Sequence, residues 1–399
     1  MASTQGILIA GIVAAAGILG GCAGGPALVT TQPEQGPLPP FGPGAAGQPV
    51  PPTVRLIGVG DIMMGTDFPD SERLNPDLVP GVDLASIIGA DLLALLRGGD
   101  VTFGNMEGTL FDGPDDTEHK PCRNPKSCYV FRSPEFHAEL LRDMGFNAMS
   151  IANNHSGDFR EAGRAATMAA LARNGMVYAG IDEPGAQTGT LVLDSGIRVG
   201  LAAFAPNWGT LSINDHARAQ AIVRGLDFTH DIVVVSFHGG AEGAGMTRVP
   251  REMEIFYGEQ RGDVYRFAHD VIDAGADVVL GHGPHVPRAV EIYRGRFIAY
   301  SLGNFWTYGR FNLQDLAGIA PVVDLELSTA DGRLLGARIH SVRQEGWGIP
   351  QLDASGAAGR AVAELTARDF PESTLQFGDD GRITGFEEPL VSWLAIARR

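Results

Sequence analysis

DIVVVSFHGG (231–240) and ADVVLGHGPH (276–285) decide the fold: each is an apolar, β-branched run that ends directly in histidine. Working outward from them, similar runs occur in VRLIGV (54–59), DVTFGN (100–105), NAMSIA (147–152), RVGLAAFA (198–205) and RFIAYS (296–301). Between these runs the chain predicts helices near 83–97, 134–144, 161–174 and 260–274, the last carrying Val264, Phe267, Ala268, Val271 and Ile272 at helical spacing. Strands alternating with amphipathic helices predict an α/β domain. Beyond about Asn312, PVVDLEL and ARIHSV predict antiparallel strands closing the sheet, and one more helix is expected near 358–368.

The residues that follow the strands point to chemistry. They are Asp61; Asn105, Met106 and Glu107; Asn153, Asn154 and His155; His238; and His282 with His285. In α/β sheets, sites form at the carboxyl ends of strands, where loops converge on a rigid frame. Oxygen and nitrogen donors without thiolates suit a divalent Mn, Zn, Fe or Mg ion. Singly, each residue has an ordinary role, Asp61 in a turn, Asn153 and Asn154 as helix caps, His238 as a hydrogen-bonded core residue. Four of the ten histidines at three strand ends exceed what turn chemistry produces. The other six, His119, His137, His216, His230, His269 and His340, take ordinary roles in helices or loops.

The chain has 399 residues, 44% hydrophobic and 19% charged, a composition that folds. Its 30 Lys+Arg against 47 Asp+Glu give a net charge of −17, and no basic run offers a nucleic-acid surface. Of three cysteines, Cys122 and Cys128 bracket a turn-rich segment where a disulfide closes easily in an oxidising compartment; two separate thiols are the alternative. Cys22 follows an uncharged apolar stretch ending in Leu19, Gly20 and Gly21, which resembles the lipobox of bacterial lipoproteins. Residues 1–21 are therefore expected to be a signal peptide and Cys22 the lipid-bearing N-terminus, although the first residues lack Lys or Arg. Residues 23–52 hold nine prolines and six glycines with one charge, Glu34, so 22–52 is expected to be a tether and 53–399 the folded domain.

The series GDIMMG (60–65), GNMEG (104–108), ANNHSGDFREAG (152–163), VSFHGGAEG (235–243) and GHGPHVPRAVEIYRGRFIAYSLGNF (281–305) resembles the CapA family of poly-γ-glutamate capsule-synthesis proteins over roughly residues 54–306. The resemblance implies a layered αββα sandwich of the calcineurin-like metallophosphoesterase type. It implies a metal site of Asp61, Glu107, Asn154, His238 and His282, with His155 facing the scissile group as general acid and Asp158 or Glu161 orienting it. This sequence departs from that pattern at two points: Met63 stands where an imidazole is usual, and the terminal histidine pair is stretched to His282 and His285, leaving His285 to swing in as a donor.

Two functions follow from the resemblance. One is a metal-dependent hydrolase or transferase acting on a phosphoester, a γ-glutamyl bond or an envelope polymer. The other is a non-catalytic assembly subunit that holds capsule polymer or capsule-synthesis membrane proteins. Either would work outside the cytoplasmic membrane, attached through a lipid anchor. Gly-Lys-Ser/Thr phosphate loops, Gly-x-Ser-x-Gly elbows and His-Glu-x-x-His helices are absent from the sequence. Arg288, Arg294 and Arg310 are the candidate contacts for an anionic polymer, and Glu242 in GGAEGAG (239–245) a candidate for substrate.

Overall fold

Two sheets lie face to face, and their packing follows from strands that are apolar on both sides. The computed structural model describes residues 53–122, 128–309 and 311–386. The expected signal peptide, Cys22 and the tether, as well as Arg310 and residues 387–399, lie outside the described residues.

In the first sheet, Thr53–Met63, Val101–Met106, Ala148–Ser150 and Val177–Ala179 run parallel, and Ile319–Ser328 and Leu334–Glu345 continue it antiparallel. In the second, Arg198–Phe204, Ile232–His238, Val278–His282 and Arg296–Ala299 run parallel between the antiparallel edges Thr188–Val192 and Val290–Tyr293. Successive side chains on a strand point to opposite faces. Leu56, Phe103, Ile232, Val234 and Leu280 accordingly meet in the core between the sheets. Ile57 and Val59 pack outward with Leu92, Leu96, Leu141 and Leu171, while Val233 and Val235 pack on the other side with Val223, Phe267 and Val271. The order is helix, sheet, sheet, helix, the αββα sandwich.

The helices differ from expectation in detail. The segment expected at 83–97 is two helices, Leu84–Ile88 and Ala90–Arg97, parted at Gly89 with φ of +80°. His216–Thr229 is a helix that the apolar pattern did not reveal, because it buries only Ala219, Val223 and Leu226. Asp215 caps it, accepting from the Arg218 amide, as Asp263 caps Val264–Asp273 through the Arg266 amide. His340 belongs to the strand Leu334–Glu345, as the ARIHSV run predicts and not to a helix or loop, and it bonds Asp324.

Candidate metal centre

The first strand changes partners where it reaches the site. Residues 53–58 pair with the antiparallel Ile319–Ser328 strand, whereas Asp61–Met63 pair with Asn304–Thr307 across an irregularity between Asp61 and Ile62. Such irregularities re-aim a side chain. A Cβ on Gly60 would collide with the Gly303 carbonyl, which accepts the Asp61 amide at 2.9 Å, so glycine is required there.

Asp61 stands beside Asn105 in the parallel ladder, and Asn105 Nδ2 donates to Asp61 Oδ1 at 2.8 Å. The same amide nitrogen lies 3.3 Å from His238 Nδ1. Asn153 Nδ2 donates to Asn105 Oδ1 and to the Met106 carbonyl. An amide network thus holds the floor of the site across both sheets. Glu107, directly after the strand ends at Met106, is fully buried.

The second imidazole of the stretched pair is the one that reaches the carboxylates. His285 has φ of +60°, a conformation held only where its surroundings fix it. Its Nδ1 donates to Asp61 Oδ2 at 3.0 Å and Asn304 Oδ1 at 3.1 Å, which leaves Nε2 facing Glu107 Oε1 at 3.6 Å. His282, expected as a ligand, is engaged elsewhere: Nε2 donates to the Val59 carbonyl at 3.1 Å, so Nδ1 accepts from Ser236 Oγ at 3.3 Å. The correction has a plain cause, because both its nitrogens are used inside the fold. Met63, at the departed ligand position, is fully buried.

Asp61, Glu107 and His285 offer donor atoms within 4.8 Å of one another. Both Glu107 oxygens, His238 Nε2 and Asn154 Oδ1 are buried without hydrogen-bond partners. Buried carboxylate oxygens are normally satisfied, and an unpaired ionised carboxylate is costly. This donor set of carboxylate oxygens and imidazole nitrogens therefore fits a divalent cation. Each Asp61 oxygen keeps a further lone pair for it. Without a cation, burial pushes the Glu107 carboxyl well above its usual range. Burial opposes ionisation of Asp61 too, but the hydrogen bond and charge of His285 hold that carboxyl well below the usual range. His285 is itself pushed up to about 10, burial being outweighed by Glu107 and Asp61. Burial drives His238 far down, so it stays neutral.

His155 sits beside this centre. Its amide donates to Asn153 Oδ1, and its Nδ1 donates to Asp158 Oδ2 at 2.8 Å. Asp158, fully buried, also accepts the Phe131 amide at 2.7 Å and faces Lys120 Nζ at 2.6 Å. Phe131 stacks on the His155 ring with centroids 4.1 Å apart. Lys120 and Phe131 flank Cys122 and Cys128, which form a disulfide with Cα atoms 5.5 Å apart. Glu161 lies exposed on the first turn of Arg160–Arg173 and takes no part. Burial lowers the His155 pKa, which favours the neutral ring.

The centre opens into a cleft of about 1030 Å³ lined by Lys120, Phe131, Glu242, Arg261 and Phe311 among others. Glu242 faces Arg261 at 2.7 Å. Arg288, expected to contact polymer, is instead buried in a two-pronged pair with Glu254, both contacts 2.8 Å. Arg294 pairs with Asp273, away from the cleft. Asn304 is the site residue the sequence reading passed over; Asn105 stood among the strand-end residues there but was given no role in the metal site.

The family model described as bacterial capsule synthesis protein PGA_cap matches residues 55–308. An uncharacterized Sinorhizobium fredii protein, y4sH, is 28% identical over 321 residues, covering 63% of this chain and 65% of that protein. Capsule biosynthesis protein CapA of Bacillus anthracis is 26% identical over 269 residues, covering 63% and 59%. The chain thus spans less than two thirds of the length of either relative. A phosphatase structure from Mycoplasma pneumoniae superposes with a TM-score of 0.44 at 13% identity, over 73% of this chain and 94% of that one.

Proposed function

The chain belongs to the bacterial capsule synthesis protein family, and from that premise we propose that it is a metal-dependent hydrolase or transferase working on a capsule or cell-envelope polymer. The observation that carries the reading is the pair of unpartnered Glu107 oxygens buried beside Asp61 and His285, the last of which lines an open cleft. Asp61, Glu107 and His285 Nε2 would hold the ion, with His238 Nε2 and Asn154 Oδ1 as further donors. A bound divalent ion supplies Lewis-acid polarisation of a phosphoryl or acyl oxygen and acidifies water.

The chain's own residues account for the proton. Asp158 fixes the His155 tautomer with hydrogen on Nδ1, so Nε2 carries the lone pair. A neutral His155 accepts a proton at Nε2 from the attacking hydroxyl and returns it to the leaving group; it begins as a base, where general acid was the expectation. Phe131 covers one face of the ring and fixes its plane. Attachment through a lipid on Cys22, outside the cytoplasmic membrane, belongs to the same proposal.

A second reading, an assembly subunit without turnover, draws support from the buried Met63 and the engaged His282, which leave donors for one ion more readily than for two. Turnover separates the readings. Hydrolysis of a generic phosphodiester and of γ-glutamyl peptides is followed with added Mn, Zn or Mg. His155→Ala is expected to lower the rate by about two to four orders of magnitude while retaining metal. Absence of turnover in the native protein, with full capsule or envelope complementation by His155→Ala, would leave only the assembly reading.

A further inference from the structure

Resting on the cleft's proposed role as a hydrolase or transferase site, we propose that Arg261 binds the anionic group of the substrate, a phosphoryl or carboxylate oxygen pair, and that Glu242 is the counter-ion it releases when substrate enters. Arg261 is held where an anion beside the metal centre would need it. The strand Ile232–His238 ends in His238, and a Cβ on the next residue, Gly239, would come within 2.8 Å of the Arg261 carbonyl. Glycine there lets the strand Glu259–Gly262 close directly onto that end. The Gly240 amide donates to the same carbonyl at 2.8 Å, and Arg261 Nε donates to the Gly240 carbonyl at 3.1 Å. The Arg261 side chain, almost wholly buried, lines the cleft with Asn154, His155 and His285. Its charge acts on both Glu107 and His238.

The donors of Arg261 are not used as those of Arg288 are. In the pair of Arg288 and Glu254 both carboxylate oxygens accept hydrogen bonds and both side chains are buried. Arg261 Nη2 comes 2.7 Å from Glu242 Oε1 but is out of line for a hydrogen bond, and it is buried without a partner. Nη1 is 3.9 Å from Glu259 Oε2. A guanidinium holds a carboxylate or phosphate best through two parallel N–H···O bonds, a geometry Glu242 does not supply. The Glu242 side chain is 20% exposed against 2% for Arg261, so it turns out to solvent by side-chain rotation alone. The backbone around it stays fixed, Ala241 by its amide on Glu254 and Gly243 by its amide on the Pro284 carbonyl.

The charges agree with such an exchange. Asp61 and Glu107 balance a divalent ion, Glu242 balances Arg261, and Asp158 balances Lys120. An anionic oxygen pair that takes the place of Glu242 on Arg261 restores the same balance there.

The test is calorimetric titration of the full chain, with Mn²⁺ and again after chelation, using methylphosphonate for a phosphoryl source and glutarate for a carboxylate source. Native protein is expected to bind at least one of them. Arg261→Met should weaken that binding about tenfold to a hundredfold. Glu242→Gln, which removes the competing carboxylate, should tighten it about twofold to fivefold. The opposite signs identify the exchange, because a pair that only holds the loop in place would lose affinity in both variants. Native protein that binds neither anion, Arg261→Met that binds as native does, or Glu242→Gln that weakens binding overturns the inference. Where Arg261→Met does not fold, Arg261→Lys keeps the charge without the two-pronged geometry and should still weaken the preferred anion; unchanged affinity overturns the inference. Metal content is measured on the same samples. Native protein that holds no Mn²⁺ yet shows the opposed shifts counts against the metal reading and leaves the role of Arg261 standing, whereas bound Mn²⁺ without the shifts does the reverse.

Discussion

Replacing Arg288 with methionine should destabilise the protein strongly, although the residue touches no proposed ligand. Arg288 pairs with both Glu254 oxygens and donates to the Met246 carbonyl at 2.8 Å and the Ala241 carbonyl at 3.2 Å. Glu254 also accepts the Ala241 amide at 2.9 Å. The pair thereby ties down the segment that carries Glu242 along the cleft. Removing one partner of a buried pair strands the other, which costs about 3–5 kcal/mol. Unfolding entropy near 2.1 cal/mol/K per residue, over roughly 330 described residues, comes to about 0.7 kcal/mol per kelvin. Arg288→Met should therefore lower the Tm by about 4–7 °C. The double variant Arg288→Met with Glu254→Leu removes the stranded charge and should be more stable than Arg288→Met alone. Thermal and urea unfolding followed by circular dichroism, with all four members of the cycle, measures this. A single variant within about 1 kcal/mol of native, or a double variant worse than the single, would refute the reasoning.

His137 is buried with Nδ1 unpartnered, and burial lowers its pKa to about 3. The unfolded chain takes up a proton near pH 6.5 that the folded chain refuses until about 3, so stability should fall as pH drops through that window, by up to about 1.4 kcal/mol per unit. His137→Leu should remove that part of the acid slope, read from urea unfolding between pH 7 and 4. Reducing the Cys122–Cys128 bridge, or replacing both cysteines with serine, should cost about 2 kcal/mol by the loop-entropy estimate for so short a loop. It should also raise amide exchange at Phe131, whose N–H bonds Asp158; unchanged exchange there would show that the bridge does not position this loop. Cys22→Ser should release the protein from membranes, and mass spectrometry of the native membrane fraction should find lipidated Cys22 as the N-terminus rather than Met1.

Much of the fold was legible because the central strands are buried on both faces and read as unbroken β-branched runs, Ile232–Phe237 above all. Weakly apolar elements were not. The Thr188–Val192 edge strand is only partly buried, and the His216–Thr229 helix shows three core residues in four turns. In the site, Asp61, Glu107 and His238 stand out as polar residues closing apolar strands. The stretched spacing already offered His285 as a donor, but the engagement of His282 could not be read from it, because that depends on the Val59 carbonyl, which lies on the other sheet. Lys120 and Phe131 reach His155 from a loop far along the chain, where sequence proximity gives no signal.

The most direct test of the metal centre is an anomalous-difference map, recorded at the manganese edge, from crystals of the full chain grown with Mn²⁺. The arrangement of Asp61, Glu107 and His285 predicts one strong peak about 2.0–2.4 Å from Asp61, Glu107 and His285 Nε2, lost in Glu107→Gln. A map without a peak there, or a peak that persists at full height in Glu107→Gln, would contradict the account.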